Sequence, residues 1–434
     1  MDTLNKNKFY SSPFSRFDSG WRGAGSEVIN RTKGDKVIWA IVILLTLVSI
    51  LVVYSSIGSL AYKMNKTTES YLFKQIAFIV LGVLIIYFAH RVNYTIYSRV
   101  ATILFLLSIP LLFYTLNFGS SINEANRWIK LPVINMTFQT SDLAKLALFM
   151  YISKQLSRKQ NVIKDFQKGF LPLIIPVIII CMLIAPANLS TALLTGGTAL
   201  MLMFIGRVKT RHILLVVGAA LIPLIFLVVV SKSYYDKEHR KTKELPSMLT
   251  IGRMPTWIKR VQDFMYADKA DVSYQVQQAK IAIAKGGWFG KGPGKSEQRN
   301  FLPHSYSDFI YAIIIEEYGL FGGAIIMFIY LLFLFRSIRL FQRCPYAFGA
   351  FLAVALSFTL VIQAMVNMAV NVNVFPTTGV TLPLVSMGGS SLLFTCFAIG
   401  IILSVARNVE QMEGKTVMVD AVEQEKDYVA SGGA

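Results

Sequence analysis

The residues best suited to chemistry are carboxylates in a polar, glycine-rich stretch from Asp268 to Gly319. Asp268 is followed by an apolar-periodic segment, 276–284, which predicts an amphipathic helix along a membrane surface. A carboxylate held there beside basic residues can act as a general base on a hydroxyl group. The alternative is a solvated or salt-bridged acid, because Asp268 is one of seven acids between Lys232 and Arg299.

The second half of this stretch combines a glycine run with acids in an apolar segment. Residues 286–295 include five glycines, which permit close backbone approach to a ligand, and Lys291. Asp308, Glu316 and Glu317 lie at the start of the next apolar segment and inside it. Acids inside a membrane span are expensive unless they face a cavity or a partner, so they are candidates for function. A flexible turn and ion pairs between helices are the structural alternatives.

Two other places suit an anion. Arg127 precedes an apolar segment in which Asp142 and Lys145, three residues apart, would share a helix face, so that Lys145 points toward the same anion as Arg127. Ser390 and Ser391 follow two glycines and begin the last apolar segment, where free N–H groups favour an anion. An interfacial anchor and an ordinary helix cap remain the alternatives.

Membrane spans must position all these residues. The chain has 434 residues, a mean hydropathy of +0.53 and 54% hydrophobic residues, which exclude an ordinary soluble protein. Solid apolar blocks, rather than alternating segments, exclude a transmembrane β-barrel. The prediction is an all-α polytopic membrane protein with about ten transmembrane helices, at 37–57, 72–90, 98–116, 140–157, 170–186, 188–206, 212–230, 308–335, 346–370 and 390–406.

Charge gives an orientation for the predicted spans. Lysine and arginine are concentrated in alternate short loops, which places both termini in the cytoplasm. Residues 231–307 then form a large extracytoplasmic loop between spans seven and eight. Its 14 Lys and Arg against seven acids suit a phosphate-bearing lipid, although a merely solvated basic loop is the alternative.

The two ends of the chain differ from the spans in composition. Residues 1–36 predict a disordered cytoplasmic leader, 37–407 a transmembrane domain and 408–434 a disordered cytoplasmic tail. The net charge of +19 is assigned to topology and anionic lipid rather than to nucleic acid. Three cysteines at unrelated spacing predict neither a disulfide framework nor a metal site.

Several long motifs, in order, closely resemble the SEDS family (shape, elongation, division and sporulation) of peptidoglycan polymerases. The resemblance covers nearly all of 37–407. The motif Gly-x-Gly-x-Gly-x-Ser-x-Gln at 290–298 is more similar to the cell-division member of the family than to the rod-shape member. The motifs are Arg-Trp-Ile at 127–129, Phe-Gln-Thr-Ser-Asp-Leu-Ala-Lys-Leu at 138–146, Tyr-Gln-x-x-Gln-x-x-x-Ala at 274–282, Leu-Pro-His-x-x-Ser-Asp-Phe-Ile-Tyr-Ala-x-x-x-Glu-Glu-x-Gly at 302–319 and Pro-Thr-Thr-Gly-Val-x-Leu-Pro-x-Val-Ser-x-Gly-Gly-Ser-Ser at 376–391.

The resemblance implies a ten-span fold, glycosyltransferase activity on lipid II and an essential aspartate in the large loop. Matched back from Tyr274, that aspartate is Asp268, but the usual Asp-Pro-x-Gly is Asp-Lys-Ala-Asp here, so Asp271 is a rival. The sequence also departs from the family at Asn188, where no acid role carries over, and at His304, where glutamate is common.

These observations predict a peptidoglycan glycosyltransferase in which Asp268 deprotonates the acceptor sugar of lipid II. Arg127, Lys145, Lys291, Gln298, Asp308, Glu316, Ser390 and Ser391 are the predicted substrate-binding residues. A divalent cation, Mg²⁺ or Mn²⁺, is compatible with a diphosphate substrate, although no ligand cluster demonstrates it. The alternatives are a lipid II flippase and a non-catalytic division scaffold.

The same reading predicts partners and a location. The partners are a class B penicillin-binding protein and other proteins of the division machinery, besides lipid II and a polyprenyl-diphosphate-linked glycan. The predicted location is the bacterial cytoplasmic (inner) membrane at the division septum.

Overall fold

The computed structural model describes most of the chain. Described residues are 34–58, 60, 65, 67–122, 125–131, 136–236, 241–242, 245–246, 249–250, 252–266 and 274–431, with the backbone alone described at 120–122, 125–126, 131, 136, 236, 241–242 and 414–431. The predicted leader therefore lies almost wholly outside the described residues. Asp268 and Asp271 also lie outside them.

Helices dominate the described residues. Before the large loop they are α1 (Lys36–Ser56), α2 (Thr68–Arg91), α3 (Tyr94–Phe118), α4 (Thr140–Arg158), α5 (Leu171–Ile184), α6 (Leu189–Ile205) and α7 (Thr210–Ser233). The others are α8 (Met254–Met265), α9 (Tyr274–Gly286), α10 (Ile310–Arg343), α11 (Ala347–Asn371) and α12 (Ser390–Ser431). Short helical turns occupy Gln160–Val162, Phe166–Phe170 and Gln298–Asn300.

Polar residues set the starts of several apolar helices by accepting hydrogen bonds from free backbone N–H groups. Asp35 Oδ1 accepts from the N–H of Val37 at 2.9 Å and begins α1. Asn93 Oδ1 accepts from Thr95 N–H at 3.1 Å and begins α3. Asn188 caps α6 in the same way. This residue stands where the SEDS family commonly has an acid, and here it has a structural role.

Within the described residues, eight helices are long and apolar enough to cross a membrane, so the chain is a multi-span membrane protein. They are α1, α2, α3, Phe166–Ile184, α7, α10, α11 and Ser390–Glu413 of α12. Each of the ten predicted spans overlaps a helix. However, α4 carries charged residues and α6 has only 17 residues, so the count of ten stays a prediction.

The helices form a bundle with α11 and the first half of α12 at its centre. Most residues in these two segments are buried, whereas α7 is mostly exposed at the edge of the bundle. Small side chains allow close packing at the centre. A Cβ at Gly400 of α12 would lie 2.6 Å from the Cβ of Ala89 on α2.

Short strands interrupt the helical pattern at one end of the bundle. β1 (Ser120–Ile122), β2 (Ala125–Leu131) and β3 (Met136–Gln139) form an antiparallel sheet in the order β1-β2-β3. Trp128 pairs with Gln139 immediately before α4 begins. The sheet therefore places Arg127 beside the start of α4. A second pair, β4 (Tyr235–Asp236) and β5 (Lys241–Thr242), follows α7.

Two helices differ from the sequence-based expectations. α10 extends beyond the predicted 308–335 and contains a break at Gly319, where φ is +74° and ψ is −178°. α12 continues to Ser431. Residues 408–431, which were predicted to form a disordered tail, are therefore helical. Residues 408–431 contain no proline and a single glycine, and many are good helix formers, which permits this continuation.

Candidate active site

A cavity of about 400 Å³ lies where the large loop meets the bundle. It is lined by α8, the start of α9, the segment before α10 and the loop between α11 and α12. Charged side chains in its wall are Lys259, Arg260, Asp263 and Asp308. The cavity is therefore polar, open to the large loop and richer in cations on its α8 side.

The amphipathic sequence of α8 positions these cations. Ile258 and Gln262, four residues apart, are buried, and Gln262 Nε2 donates to Ser231 O of α7 at 2.9 Å. Ile258 packs with the apolar residues Leu227 and Val230 of α7. Because this face is fixed on α7, the neighbouring Lys259 and Arg260 line the cavity.

Three arginines concentrate positive charge beside the cavity. Arg127 Nε donates to Ala187 O at 2.8 Å, and Arg253 Nη1 donates to the same carbonyl at 2.6 Å. Burial, followed by the charges of Arg253 and Arg260, lowers the pKa of Arg127 to about 10. Burial and then Arg253 also lower the pKa of Arg260. Mutual repulsion of this kind favours binding of an anion.

Asp308 is the acid of this group. Burial raises its pKa, while His304, a hydrogen bond from Ser307 Oγ at 3.3 Å, Arg127 and Arg260 act in the opposite direction. Burial likewise raises the pKa of Asp263 on α8. The wall thus holds two cations and two acids, and the positive charges of Arg127 and Arg253 lie near them.

Two asparagines that the sequence analysis missed hold the segment around Asp308. Asn367 Nδ2 and Asn371 Nδ2 donate to Asp308 O at 2.9 and 3.0 Å. Asn371 Oδ1 accepts from Ala312 N–H at 3.0 Å. Both residues are buried on one face of α11. Two amides four residues apart in an apolar helix are a sequence signal that could have identified them.

The two predicted bases, Asp268 and Asp271, lie in the sequence between residues that line this cavity. Residues 267–273, which include Asp268 and Asp271, connect the end of α8 to the start of α9. Asp263 lies four residues before this connection and Tyr274 directly after it, and both line the cavity. The residues on both sides of the connection that carries Asp268 and Asp271 thus contribute to this cavity.

Lys291, Gln298 and Glu316 come together in a second place, outside the cavity. The buried Glu316 carboxylate accepts from Ser296 Oγ, from the N–H of Glu297 at 3.1 Å and from the N–H of Gln298 at 3.2 Å. Lys291 Nζ lies 3.8 Å from Glu316 and 2.8 Å from Glu297. These contacts hold the glycine-rich segment on α10.

Backbone contacts explain why that segment needs glycine. Lys291 N–H donates to Glu316 O at 2.9 Å, and Leu320 N–H donates to Gly287 O at 2.9 Å. A Cβ at Gly290, whose φ is +79°, would lie 2.2 Å from Glu317 O. The glycines therefore allow two backbones to approach each other, whereas the sequence analysis predicted approach to a ligand.

The neighbouring Glu317 belongs to the same junction. Its buried carboxylate accepts from Ser55 Oγ at the end of α1, while Arg299 Nη1 donates to Ser55 O at 3.0 Å. The pair Glu316 and Glu317 thus joins α1, α10 and the glycine-rich segment into one unit. This unit forms part of the support for the large loop.

Lys145 and the last helix start form a third group. Lys145 Nζ pairs with Asp142 Oδ1 at 2.8 Å, and both line a cavity of about 40 Å³ together with Ser391. Ser390 Oγ accepts from the N–H of Gln139 at 3.2 Å. The sequence analysis expected Lys145 and Arg127 to contact one anion, but Arg127 lines a separate cavity of about 20 Å³ with Thr140 and Ser141.

Metal ligands are not clustered in the described part of the chain. Among those residues, no three His, Cys, Asp or Glu side chains lie together as a metal site requires.

Comparisons with known proteins agree with this architecture. A family model described as cell cycle protein, named for FtsW, RodA and SpoVE, matches residues 35–411. A probable peptidoglycan glycosyltransferase FtsW from Geobacter sp. (strain M18) is 32% identical over 87% of this chain and 98% of its own length. Stage V sporulation protein E from Bacillus subtilis (strain 168) is 29% identical over 87% of this chain and 98% of its own.

Solved structures share the fold. A chain from a peptidoglycan synthase complex, described as coordinating polymerization and crosslinking, has a TM-score of 0.67 and 23% identity over 87% of this chain and 99% of its own. Rod shape determining protein RodA from Thermus thermophilus has a TM-score of 0.59 and 22% identity over 86% of this chain and 97% of its own. The chain belongs to the FtsW/RodA/SpoVE family of cell cycle proteins.

Proposed function

We propose that this protein is a peptidoglycan glycosyltransferase that joins lipid II units into glycan strands. Relatives named as probable peptidoglycan glycosyltransferases match nearly their whole length to this chain. The observation that carries the proposal is the cavity that α8 lines with Lys259 and Arg260. Its cations suit a diphosphate, whose negative charge grows as it leaves the sugar, and the segment that carries Asp268 and Asp271 joins two helices that line it.

In the proposed reaction, Asp268 accepts the proton of the acceptor sugar hydroxyl. The hydroxyl oxygen bonds to the anomeric carbon of the donor, and the bond from that carbon to the diphosphate oxygen breaks. The polyprenyl diphosphate leaves with the bonding electron pair. Arg127, Arg253 and Arg260 stabilise its negative charge.

Asp271 is the competing base. Both aspartates belong to the 267–273 connection, and the family motif around them is altered in this sequence. We assign the role to Asp268 because it matches the family pattern when aligned without gaps from Tyr274. Separate substitution of the two residues distinguishes them.

The proposed roles of the other predicted residues follow from their surroundings. Asp308 shapes the charge of the cavity, whereas Lys291, Gln298 and Glu316 support the large loop. Lys145, Ser390 and Ser391 lie near the start of α4 and α12, where they position these helices beside Arg127.

We further propose a division role beside a class B penicillin-binding protein in the bacterial inner membrane. The synthase complex with the same fold supports a crosslinking partner, and the relatives named FtsW support division over rod shape. In this proposal both termini lie in the cytoplasm, and the cavity faces the outside of the membrane and takes lipid II there.

Polymerisation of purified substrate tests the proposed function. The full chain, with the transpeptidase site of its penicillin-binding partner inactivated, is supplied with labelled lipid II, and products are separated by gel electrophoresis. We expect a ladder of glycan strands. Lipid II movement across liposomes without any ladder would support the flippase alternative and overturn the enzyme proposal.

Metal dependence is a separate test of the same reaction. Activity is measured after EDTA treatment and after return of Mg²⁺ or Mn²⁺. Activity that EDTA abolishes and Mg²⁺ or Mn²⁺ restores would support a divalent cation on the substrate diphosphate, whereas activity unchanged by EDTA would exclude it.

A further inference from the structure

A second large cavity, of about 340 Å³, lies where α1 begins and α10 ends. The first turn of α1, the last turns of α10 and the middle of α12 form its walls. None of the residues in its wall belongs to the candidate active site. Its location and charge suit a different ligand.

The two cavities lie at opposite ends of the membrane-crossing part of α10. Asp308, two residues before α10, lines the first cavity, and Arg343, the last residue of α10, lines the second. From the break at Gly319 to Arg343 the helix rises about 36 Å, at 1.5 Å per residue. This exceeds the roughly 30 Å hydrocarbon core of a bilayer, so the second cavity lies at the other membrane boundary.

Three arginines of α10 enter this cavity from one helix face. Arg336, Arg339 and Arg343 are spaced by three and four residues. Arg336 is already paired, because its Nε and Nη2 donate to Asp35 Oδ2 at 2.9 and 2.7 Å. Its role is to join the ends of α1 and α10.

Of the three acids in the cavity wall, Asp35, Glu410 and Glu413, the first two already have hydrogen-bond partners. Asp35 uses its other oxygen to cap α1, and Glu410 Oε2 accepts from Gly34 N–H at 2.7 Å. By contrast, the ion pairs found among the described side chains do not include Arg339 or Arg343. Two guanidinium groups therefore face the cavity with binding capacity for a phosphate.

An apolar strip leads from the membrane to these arginines. Phe328, Leu331 and Phe335 are exposed on α10, and Arg339 lies over the ring of Phe335 at 5.0 Å from its centroid. Their spacing of three and four residues continues into Arg339 on one helix face. A molecule with a phosphate in the cavity could thus lay acyl chains along the strip.

We infer that this cavity binds the phosphate of an anionic phospholipid headgroup, with the acyl chains against the exposed strip of α10. The apolar strip favours a lipid over a free phosphate ion. A lipid held there would connect the ends of α1, α10 and α12 at the boundary opposite the candidate active site.

Lipid retention by the purified full chain tests this inference. Native mass spectrometry compares binding of dioleoyl phosphatidylglycerol and dioleoyl phosphatidylcholine to the wild type, to Arg339→Gln/Arg343→Gln and to Arg158→Gln/Lys164→Gln. The last variant removes the same charge from exposed residues outside the cavity. Thermal unfolding in detergent establishes that each variant is folded.

We expect the wild type and the Arg158/Lys164 variant to prefer phosphatidylglycerol. Loss of two arginines should weaken phosphatidylglycerol binding about tenfold or more while leaving phosphatidylcholine binding unchanged. Equal loss in both variants would show general surface attraction and overturn the inference. Binding of inorganic phosphate at the same arginines without any preference for phosphatidylglycerol would overturn the lipid assignment.

Discussion

At the residue scale, three arginines whose positive charges act on one another lie at the candidate active site. Arg127 and Arg253 share a carbonyl oxygen as their hydrogen-bond acceptor, and Arg260 extends the positive charge into the cavity wall. A dianionic diphosphate would replace repulsion among these groups with charge-assisted hydrogen bonds. Charge in this cavity should therefore affect substrate binding and leaving-group departure.

Arg260→Gln tests that role directly. We expect the variant to weaken use of lipid II, with KM rising about tenfold, because one charge-assisted hydrogen bond contributes roughly 1.5–3 kcal/mol. Arg260→Lys should restore part of the loss, since charge returns without the planar guanidinium. Steady-state polymerisation kinetics measure both. An unchanged KM and kcat in Arg260→Gln would exclude a substrate contact.

Asp308 predicts a pH dependence of stability. Its folded-state pKa is raised above the ordinary value of 3.8, chiefly by burial. The protonated form is therefore favoured in the fold, and the stability it contributes is fully present below about pH 3.8 and lost as pH rises through the folded pKa. Asp308→Asn removes this dependence.

The measurement is thermal unfolding of wild type and Asp308→Asn in detergent from acidic to neutral pH. The stability of the wild type relative to the variant should fall as pH rises. A relative stability that rises with pH would mean that the neighbouring arginines outweigh burial.

At the element scale, the sequence predicted most helices because apolar length is a direct signal of a span. The segment 276–284 was predicted to be helical and lies within α9. The helix α8 and the strands around Arg127 were missed, because α8 mixes charged and apolar residues and the strands are only three to seven residues long. Their positions depend on tertiary contacts with α7 and α4.

The support of the large loop depends on close backbone contact, which Gly290→Ala tests. A Cβ there would meet Glu317 O at 2.2 Å, whereas a Cβ at Gly294 would meet no atom within 4 Å, although both glycines have a positive φ. We expect Gly290→Ala to lower the free energy of unfolding by about 2–4 kcal/mol and Gly294→Ala by about 1 kcal/mol. Thermal unfolding measures the difference. Equal effects would mean that the clash relaxes freely.

Glu316→Ala tests the polar part of the same support. The substitution leaves Ser296 Oγ and the N–H groups of Glu297 and Gln298 without their acceptor, so we expect a loss of about 3 kcal/mol in unfolding free energy. Glu297→Ala is the control, because its exposed carboxylate binds only Lys285 and Lys291 at the surface. A larger effect of Glu297→Ala would contradict the assigned roles.

At the scale of the whole molecule, α10 joins two chemically different ends of one bundle. One end carries the cationic cavity beside the large loop, and the other carries the arginines that face Asp35 and Glu410. Sequence motifs predicted the family, but they could not separate the three groups of polar residues. Lys145 pairs within α4, and Lys291 with Glu316 supports a loop, because packing brings together residues far apart in the chain.

The central claim is that an aspartate of the 267–273 connection is the base for glycan polymerisation. Asp268→Ala, Asp271→Ala and the control Asp427→Ala, from the last helix, are purified with the same partner and supplied with labelled lipid II. We expect Asp268→Ala to reduce strand formation by at least about 100-fold, as loss of a general base does, while the other two variants retain it. Strand formation that survives replacement of both Asp268 and Asp271 would contradict this mechanism.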